Sequence, residues 1–208
     1  MMDNWLCGAR GGGRAYLQRA AIACAMLLSG CGASPVAKYY VLSVATEPAA
    51  ASDAAVPRDK FIGIGPVVLP DYLDQPQIVI RASSNRLELV EGHRWAEPLT
   101  DSFSRVLREN LSLLLGTERV LARSSLPSAR GDYQVMVQVL RFDAAPDGIV
   151  NLVARWSVTA KDGALLVPTR RSAFDVTPAG TSVEALVAAQ SEAVARLSRE
   201  IAAALTGR

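Results

Sequence analysis

The spacing of apolar residues limits the possible folds of this chain more than any other feature. In Pro98–Leu115 and Ser182–Leu205 they recur three or four positions apart, which is typical of a helix with one buried face. Strand-like runs of β-branched and aromatic residues surround the first of these helices. The runs are residues 39–43, 61–69, 77–81, 86–90, 133–142, 152–158 and 171–176. The order of strands, helix, strands and helix predicts an α+β fold, because a doubly wound fold requires strict alternation.

Turn residues between neighbouring strands indicate how these strands pair. Ser83–Asn85 and Pro146–Gly148 suit the connections of hairpins. We therefore expect a mixed or mainly antiparallel sheet with the two helices packed on one face. Leu87 and Leu89 alternate with Glu88, which predicts that residues 86–90 form a half-buried strand.

Capping residues place the ends of the two helices. Gly116 suits the position after the first helix, where a left-handed backbone is common. Glu97 is expected to cap the amides at the start of that helix. Thr181 with Glu184 three residues later predicts a capping box at the start of the second helix.

The first thirty residues have the order of a secretory signal peptide. A region with Arg10, Arg14 and Arg19 precedes the apolar run Ala20–Leu28, and small residues follow. The apolar run is far shorter than the roughly 20 residues that a membrane-spanning helix needs. We therefore predict that residues 1–30 are a signal peptide.

A cysteine directly after this leader predicts a lipid anchor. Leu28-Ser29-Gly30-Cys31 resembles the bacterial lipobox, in which the cysteine thiol accepts the lipid. Cys7 and Cys24 lie in the leader, so Cys31 is the only thiol of the processed chain, and acylation removes it. Several acyl chains anchor a protein firmly, whereas one binds marginally. The alternative is an ordinary signal peptide followed by an unmodified cysteine.

The rest of the chain reads as one domain on a tether. Residues 31–38 form the predicted lipidated tether, and residues 39–208 form the predicted single α+β domain. Residues 47–60, rich in alanine, proline and charge, form a predicted loop within it. We expect no cofactor other than the covalent lipid on Cys31.

The charge balance argues against a nucleic-acid partner. The leader holds three arginines and one aspartate, and the remainder of the chain has equal numbers of basic and acidic residues. A domain without net charge does not attract a polyanion through its overall field.

Residues that could perform catalysis are sparse, which predicts a protein that is not an enzyme. His93 is the only histidine and is expected on a loop, and no Gly-x-Ser-x-Gly or Walker A motif is present. One histidine and an acylated cysteine do not make a metal site. Paired acids such as Asp71 and Asp74 could hydrolyse a glycoside, but their position beside prolines is that of ordinary loop residues.

Apolar and aromatic residues near prolines are the candidates for contact with a partner or a lipid. Tyr72 and Leu73 lie between Pro70 and Pro76, and a stiffened aromatic loop loses little entropy on binding. Alternatively, both residues fold back and cap the core. Trp95 either contacts a partner or ligand, or anchors the helix that follows it.

Four segments that follow the lipobox in order resemble a known family. They are Lys38–Leu42 (KYYVL), Ile62–Arg81 (IGIGPVVLPDYLDQPQIVIR), Arg94–Leu99 (RWAEPL) and Arg105–Leu111 (RVLRENL). Together they resemble the ABC-type transport auxiliary lipoproteins of the PqiC/YmbA kind. The resemblance is dense over residues 31–115 and general beyond them.

This resemblance implies a function and a location. Such a chain is a non-catalytic outer-membrane lipoprotein on the periplasmic face, working with an MCE-domain protein and an inner-membrane transporter in lipid traffic and supporting envelope integrity. It is expected to act as an oligomer. Gly32, rather than aspartate, follows Cys31, and by the sorting rule that the lipobox implies this also favours the outer membrane. A structural or assembly lipoprotein without a role in lipid transport is the alternative.

Overall fold

The computed structural model describes residues 36–44, 60–122, 125 and 131–207 of the 208-residue chain. The predicted signal peptide, Cys31, most of the tether and nearly all of the predicted loop 47–60 lie outside the described residues. Ala37–Arg208 form one compact unit. The domain boundaries predicted from the sequence stay predictions.

Eight strands of the described residues form one sheet. They are β1 (Lys38–Tyr40), β2 (Ile62–Val68), β3 (Gln77–Ser83), β4 (Arg86–Trp95), β5 (Val120–Ala122), β6 (Tyr133–Ala144), β7 (Val150–Ala160) and β8 (Leu165–Val176). A 3-10 turn, Asp71–Leu73, lies between β2 and β3.

The long strand β6 organises this sheet because it pairs along both sides. On one side it is antiparallel to β7, which continues to β8. On the other side it runs parallel to β2, and Ala144 at its end pairs with Ile80 of β3. β3 continues to β4 and β1, and β2 continues to β5. The sheet is therefore mixed, and β1 and β8 lie at opposite ends of the path through β6.

Two helices, α1 (Leu99–Leu115) and α2 (Val183–Leu205), cover one face of the sheet. Phe103 of α1 packs edge-on against Phe142 of β6, with 5.4 Å between the ring centroids. Glu200 of α2 accepts a hydrogen bond of 2.8 Å from Ser172 of β8. Phe142 and Ser172 share a face because they are in register with Leu152 and Ala154, alternate residues of β7. The predicted α+β fold with both helices on one face is confirmed.

The helix ends match the sequence at one position and differ at two. Gly116 adopts the left-handed conformation (φ 62°) after α1, as predicted. No side chain caps the start of α1, so the expected cap by Glu97 is wrong. The capping box at Thr181 is also wrong: Ser182, one residue later, has the extended backbone of an N-cap and accepts from the Ala185 amide at 3.1 Å.

Strand β4 differs most from its prediction. It extends to Trp95 because its end pairs with β1, so His93 lies in a strand and not on a loop. Leu87 and Leu89 are 37% and 48% exposed, so the prediction of a half-buried strand with these leucines inside is wrong. They lie on the outer face, which we define as the face of the sheet opposite the helices.

Candidate functional site

A group of charged side chains on the outer face holds the segment that joins β2 to β3. The Asp143 carboxylate is fully buried and accepts hydrogen bonds from the Tyr72 hydroxyl at 2.8 Å, from Arg81 Nη2 at 2.9 Å and from Arg141 Nε at 2.9 Å. Arg81 Nε adds a further bond of 3.2 Å. The Arg81 guanidinium also lies 5.7 Å from the centroid of the Tyr72 ring. We call these four residues the outer cluster.

The electrostatics of the outer cluster suit attachment and not proton transfer. Burial alone would raise the pKa of Asp143, but the hydrogen bonds from Arg81, Tyr72 and Arg141 outweigh it and lower that pKa. Burial and the bond to Asp143 raise the pKa of Tyr72 to about 12. At neutral pH the carboxylate is ionised and the phenol keeps its proton, so the Tyr72 hydroxyl donates a hydrogen bond to Asp143. The cluster therefore fastens Tyr72 to β3 and β6.

Tyr72 and Leu73, the predicted contact residues, fold back onto the body of the domain. Leu73 is 3% exposed and belongs to the hydrophobic core, and Tyr72 is partly buried against that core. This is the second of the two alternatives that the sequence left open. Contact with a partner stays a prediction for both, and Tyr72 has the larger surface through which to make it.

Trp95, the third predicted contact residue, is 7% exposed and lies in the core. Its backbone amide donates a hydrogen bond of 2.8 Å to Pro76, at the end of the segment between β2 and β3. It closes β4 four residues before α1 begins. This geometry corresponds to the anchoring alternative, and contact with a partner stays a prediction here too.

The only histidine has a structural environment. The Tyr40 hydroxyl and His93 Nδ1 form a hydrogen bond of 2.7 Å, and the two rings stack with 5.5 Å between their centroids. This contact joins β1 to β4. A serine and a carboxylate placed to use His93 as a base are not found among its hydrogen bonds in the described chain.

A cleft of about 930 Å³ opens between α1 and β2. One wall carries Arg105 and Arg108 of α1 with Glu97 just before the helix, and residues 64–67 of β2 line the other wall. Arg105 donates to Glu97 at 2.7 Å, and this hydrogen bond is the main reason that the pKa of Glu97 is lowered. A carboxylate held in its ionised form is a poor general acid.

The described residues contain no group of three or more His, Cys, Asp or Glu side chains placed to hold a metal ion. Glu88 faces Arg86 at 3.1 Å in an exposed pair, and Asp71 begins the 3-10 turn. Asp74 ends the same turn, with its backbone amide donating to the carbonyl oxygen of Asp71 at 3.0 Å.

Sequence reasoning missed Arg81, Arg141 and Asp143. Arg141 and Asp143 alternate with Phe142 along β6, which is the usual pattern of a strand with one solvated face. Their burial depends on a segment from elsewhere in the chain that covers this face. The sequence around β6 does not indicate that another segment of the chain covers this face of the strand.

The predicted anchor at Cys31 lies outside the described residues. In the part of the chain that the structure describes, no helix combines the length and the apolar character needed to cross a bilayer.

Solved structures show where else this fold occurs. A crystal structure of an uncharacterised protein matches 80% of this chain and 97% of its own, with 23% identity and a TM-score of 0.65. A crystal structure from Xanthomonas campestris, assigned to family DUF330, matches 80% of this chain and 93% of its own, with 19% identity and a TM-score of 0.66. At these identities the likeness shows the fold. No curated protein sequence matches significantly.

A family model extends the match from fold to family. The model for the ABC-type transport auxiliary lipoprotein component matches residues 40–202. The match includes the outer cluster, both walls of the cleft and every strand from β2 to β8. It confirms the resemblance inferred from the sequence segments. The chain belongs to the family of ABC-type transport auxiliary lipoprotein components.

Proposed function

We propose that this chain is an outer-membrane lipoprotein, acylated on Cys31, that serves an MCE/ABC-type lipid transport system as a non-catalytic auxiliary subunit and supports envelope integrity. The observation that carries the proposal is the family match over residues 40–202, behind a leader that ends in a lipobox-like sequence. Membership of the family implies that the chain is a lipoprotein anchored to a membrane of the cell envelope and that its partner is a transporter. The MCE-domain partner, the lipid cargo and the outer membrane belong to the proposal.

The arrangement of charges supports a role without catalysis. Asp143 and Glu97 both have lowered pKa values because arginines donate hydrogen bonds to them. Their carboxylates therefore stabilise contacts between segments: Asp143 joins β6 to β3, and Glu97 joins the start of α1 to Arg105. A domain built in this way acts by contact with other molecules.

Affinity purification from solubilised envelopes tests the proposal. The native chain is captured through a C-terminal tag, and mass spectrometry identifies the proteins, the lipids and the modification of Cys31. We expect an acylated N-terminus at Cys31, an MCE-domain protein and a transporter subunit. A Cys31→Ser chain is the control and should leave the outer-membrane fraction and lose these partners.

Other results of this capture would contradict the proposal. An intact leader with an unmodified cysteine would remove the anchor. An acylated chain that brings down envelope proteins but neither an MCE-domain protein nor lipid would favour the alternative, a structural or assembly lipoprotein.

Tyr72 allows a sharper test of partner contact than Leu73 or Trp95, which are buried. Tyr72→Ser and Tyr72→Phe both remove the hydrogen bond to Asp143, but only the serine variant removes the ring. If the ring contacts the partner, Tyr72→Ser should capture less MCE-domain protein than Tyr72→Phe. Equal capture by the two variants would assign Tyr72 to the fold alone.

A further inference from the structure

Strand pairing places exposed side chains of β1 and β4 on the outer face. Tyr39 of β1 is in register with Arg94 of β4, so both side chains point to the same side of the sheet. Arg94 in turn pairs with Gln77 of β3. Val79, two residues further along β3, lies on that side too and pairs with Leu89.

The same face continues toward the turn between β3 and β4. Arg81 belongs to the outer cluster and pairs with Leu87. Four exposed residues of this face therefore lie at this end of the sheet, with Glu91, also exposed, between Leu89 and Arg94 along β4, and we call these four residues the edge strip. It consists of Tyr39, Leu87, Leu89 and Arg94.

The chemistry of the edge strip is that of a membrane interface. Tyr39 is 64% exposed and Leu89 48%, so the strip offers an aromatic ring and aliphatic side chains to its surroundings. Lys38, also exposed, precedes Tyr39 at this edge of the sheet, with its side chain on the opposite side of β1. Within the described residues neither Lys38 nor Arg94 forms an ion pair with an acid. Tyrosine is enriched where bilayers meet water, and nearby cations attract anionic headgroups.

The length of chain between the anchor and β1 limits how far this strip can be from the bilayer. Six residues, Gly32–Ala37, lie between Cys31 and Lys38, so seven Cα-to-Cα steps join them. Even fully extended, they span about 24 Å. β8, at the other end of the sheet path, is five strand spacings away from β1, which is about 24 Å more. The anchor therefore keeps β1 within about 24 Å of the bilayer, whereas β8 can lie up to about 48 Å from it.

From these observations we infer that the edge strip lies on the surface of the bilayer that holds the acyl chains, with Tyr39 and Leu89 at the level of the headgroups and Arg94 beside anionic lipids. The inference rests on the proposed acylation of Cys31. The anchor and the strip together fix the orientation of the domain, so that its cleft and the rest of its outer face keep one direction relative to the membrane.

Strand β8 provides a matched control surface. Leu165 and Leu166 are 56% and 48% exposed, close to the exposures in the edge strip. If exposed apolar area alone drew the domain to lipid, β8 would touch the bilayer as readily as β4. The inference assigns contact to one edge of the sheet and not to the other.

Single-cysteine labelling of the processed protein tests this assignment. Tyr39→Cys, Leu89→Cys and Leu165→Cys chains are produced in a host that acylates lipoproteins, so that the new thiol is the only free one. Each is labelled with an environment-sensitive fluorophore and reconstituted in vesicles of phosphatidylethanolamine and phosphatidylglycerol with brominated acyl chains. We expect several-fold stronger quenching at positions 39 and 89 than at position 165. We also expect weaker quenching at 39 when phosphatidylcholine replaces phosphatidylglycerol.

Each result decides one of the two proposals. Equal quenching at positions 39 and 165, or none at 39, would overturn the assignment of the edge strip even with the anchor in place. The parent chain, labelled in parallel, reports the anchor by itself: label on Cys31 would show a free thiol and contradict the acylation. Subtracting the parent signal keeps the comparison between 39 and 165 valid in that case.

Discussion

The two faces of the sheet are held by different kinds of interaction. On the inner face, under the helices, large apolar side chains such as Phe103, Phe142 and Trp156 are buried against one another. On the outer face the segment between β2 and β3 lies against the sheet, and the outer cluster around Asp143 fastens it. The inner face depends on buried apolar area, whereas on the outer face a few directional bonds to one carboxylate add to the burial of Leu73.

Because of this difference, the residues that stabilise the inner face are spread over many positions, whereas the outer face combines one buried charge with exposed residues. Apolar packing without directional bonds is distributed over many residues, so no single polar group controls the inner face. The outer cluster brings its bonds together at one buried charge, and removing that charge leaves two arginines without their partner. The outer face also carries the exposed edge strip. The surfaces that we propose for the membrane and for a partner therefore both lie on this outer face.

The largest expected effect comes from opening the inner face. Phe103 is fully buried and packs edge-on against Phe142. Phe103→Ala should lower the free energy of unfolding by about 4 kcal/mol, because it removes apolar contacts and leaves a cavity. Urea denaturation measures this loss. Leu113→Ala, on the exposed side of the same helix at 47% exposure, should cost less than about 1 kcal/mol.

A loss below about 1.5 kcal/mol in Phe103→Ala, roughly a third of the expected effect, would mean that the helices contribute little to the core. Buried apolar area would then not be the main interaction that holds the inner face.

Neutralising Asp143 tests the outer face directly. Asp143→Asn keeps the size of the side chain but leaves Arg81 and Arg141 without their carboxylate. We expect a loss of about 3 kcal/mol in the free energy of unfolding, because the guanidinium groups then lose the carboxylate that compensates their charge. Glu88→Gln in the exposed pair with Arg86 is the control and should change stability by less than about 1 kcal/mol. Equal effects of the two substitutions would show that burial of Asp143 carries no extra stability.

The stability of the outer face should depend on pH, because two residues of the outer cluster have shifted pKa values. The folded pKa of Asp143 is below its unfolded value, so its contribution is full above about pH 4 and is lost as the pH falls through the folded value. The pKa of Tyr72 is raised from 10.0 to about 12, so its contribution is full below pH 10.0 and is lost as the pH rises toward 12.

Two variants isolate these effects in urea denaturation at several pH values. Asp143→Asn should flatten the loss of stability on the acid side, and Tyr72→Phe should flatten the loss on the alkaline side. Phe103→Ala should shift the whole profile downward without changing its shape, because it touches no titrating group. A Tyr72→Phe profile parallel to that of the unmodified chain above pH 10.0 would contradict the assignment of the raised pKa.

The inner face could be predicted from the sequence because its signals are local. The apolar spacing in α1 and the glycine at its end report a helix without knowledge of the rest of the chain. Val135, Val137 and Val139 of β6 likewise alternate as residues of a half-buried strand do, and all three are buried.

The outer face could not be predicted, because burial there depends on which segment covers it. Leu89 and Asp143 both lie on the outer face, yet the leucine is 48% exposed and the aspartate is fully buried. Polarity alone suggests the reverse. The segment with Tyr72 covers β6 and β3 and leaves β4 open, and this choice is made by contacts between residues about 70 positions apart in the chain.

The smallest expected effect concerns the start of α2, where a directional bond supports the apolar inner face. Ser182 accepts a hydrogen bond from the Ala185 amide, whereas Thr181, the residue favoured by the sequence pattern, lies before the cap. Ser182→Ala should therefore lower the free energy of unfolding by about 1 kcal/mol, and Thr181→Ala by no more than a few tenths. Thermal unfolding of the two variants measures the difference. A larger loss in Thr181→Ala would restore the capping box at Thr181 and Glu184, and would mean that this helix begins one residue earlier in solution.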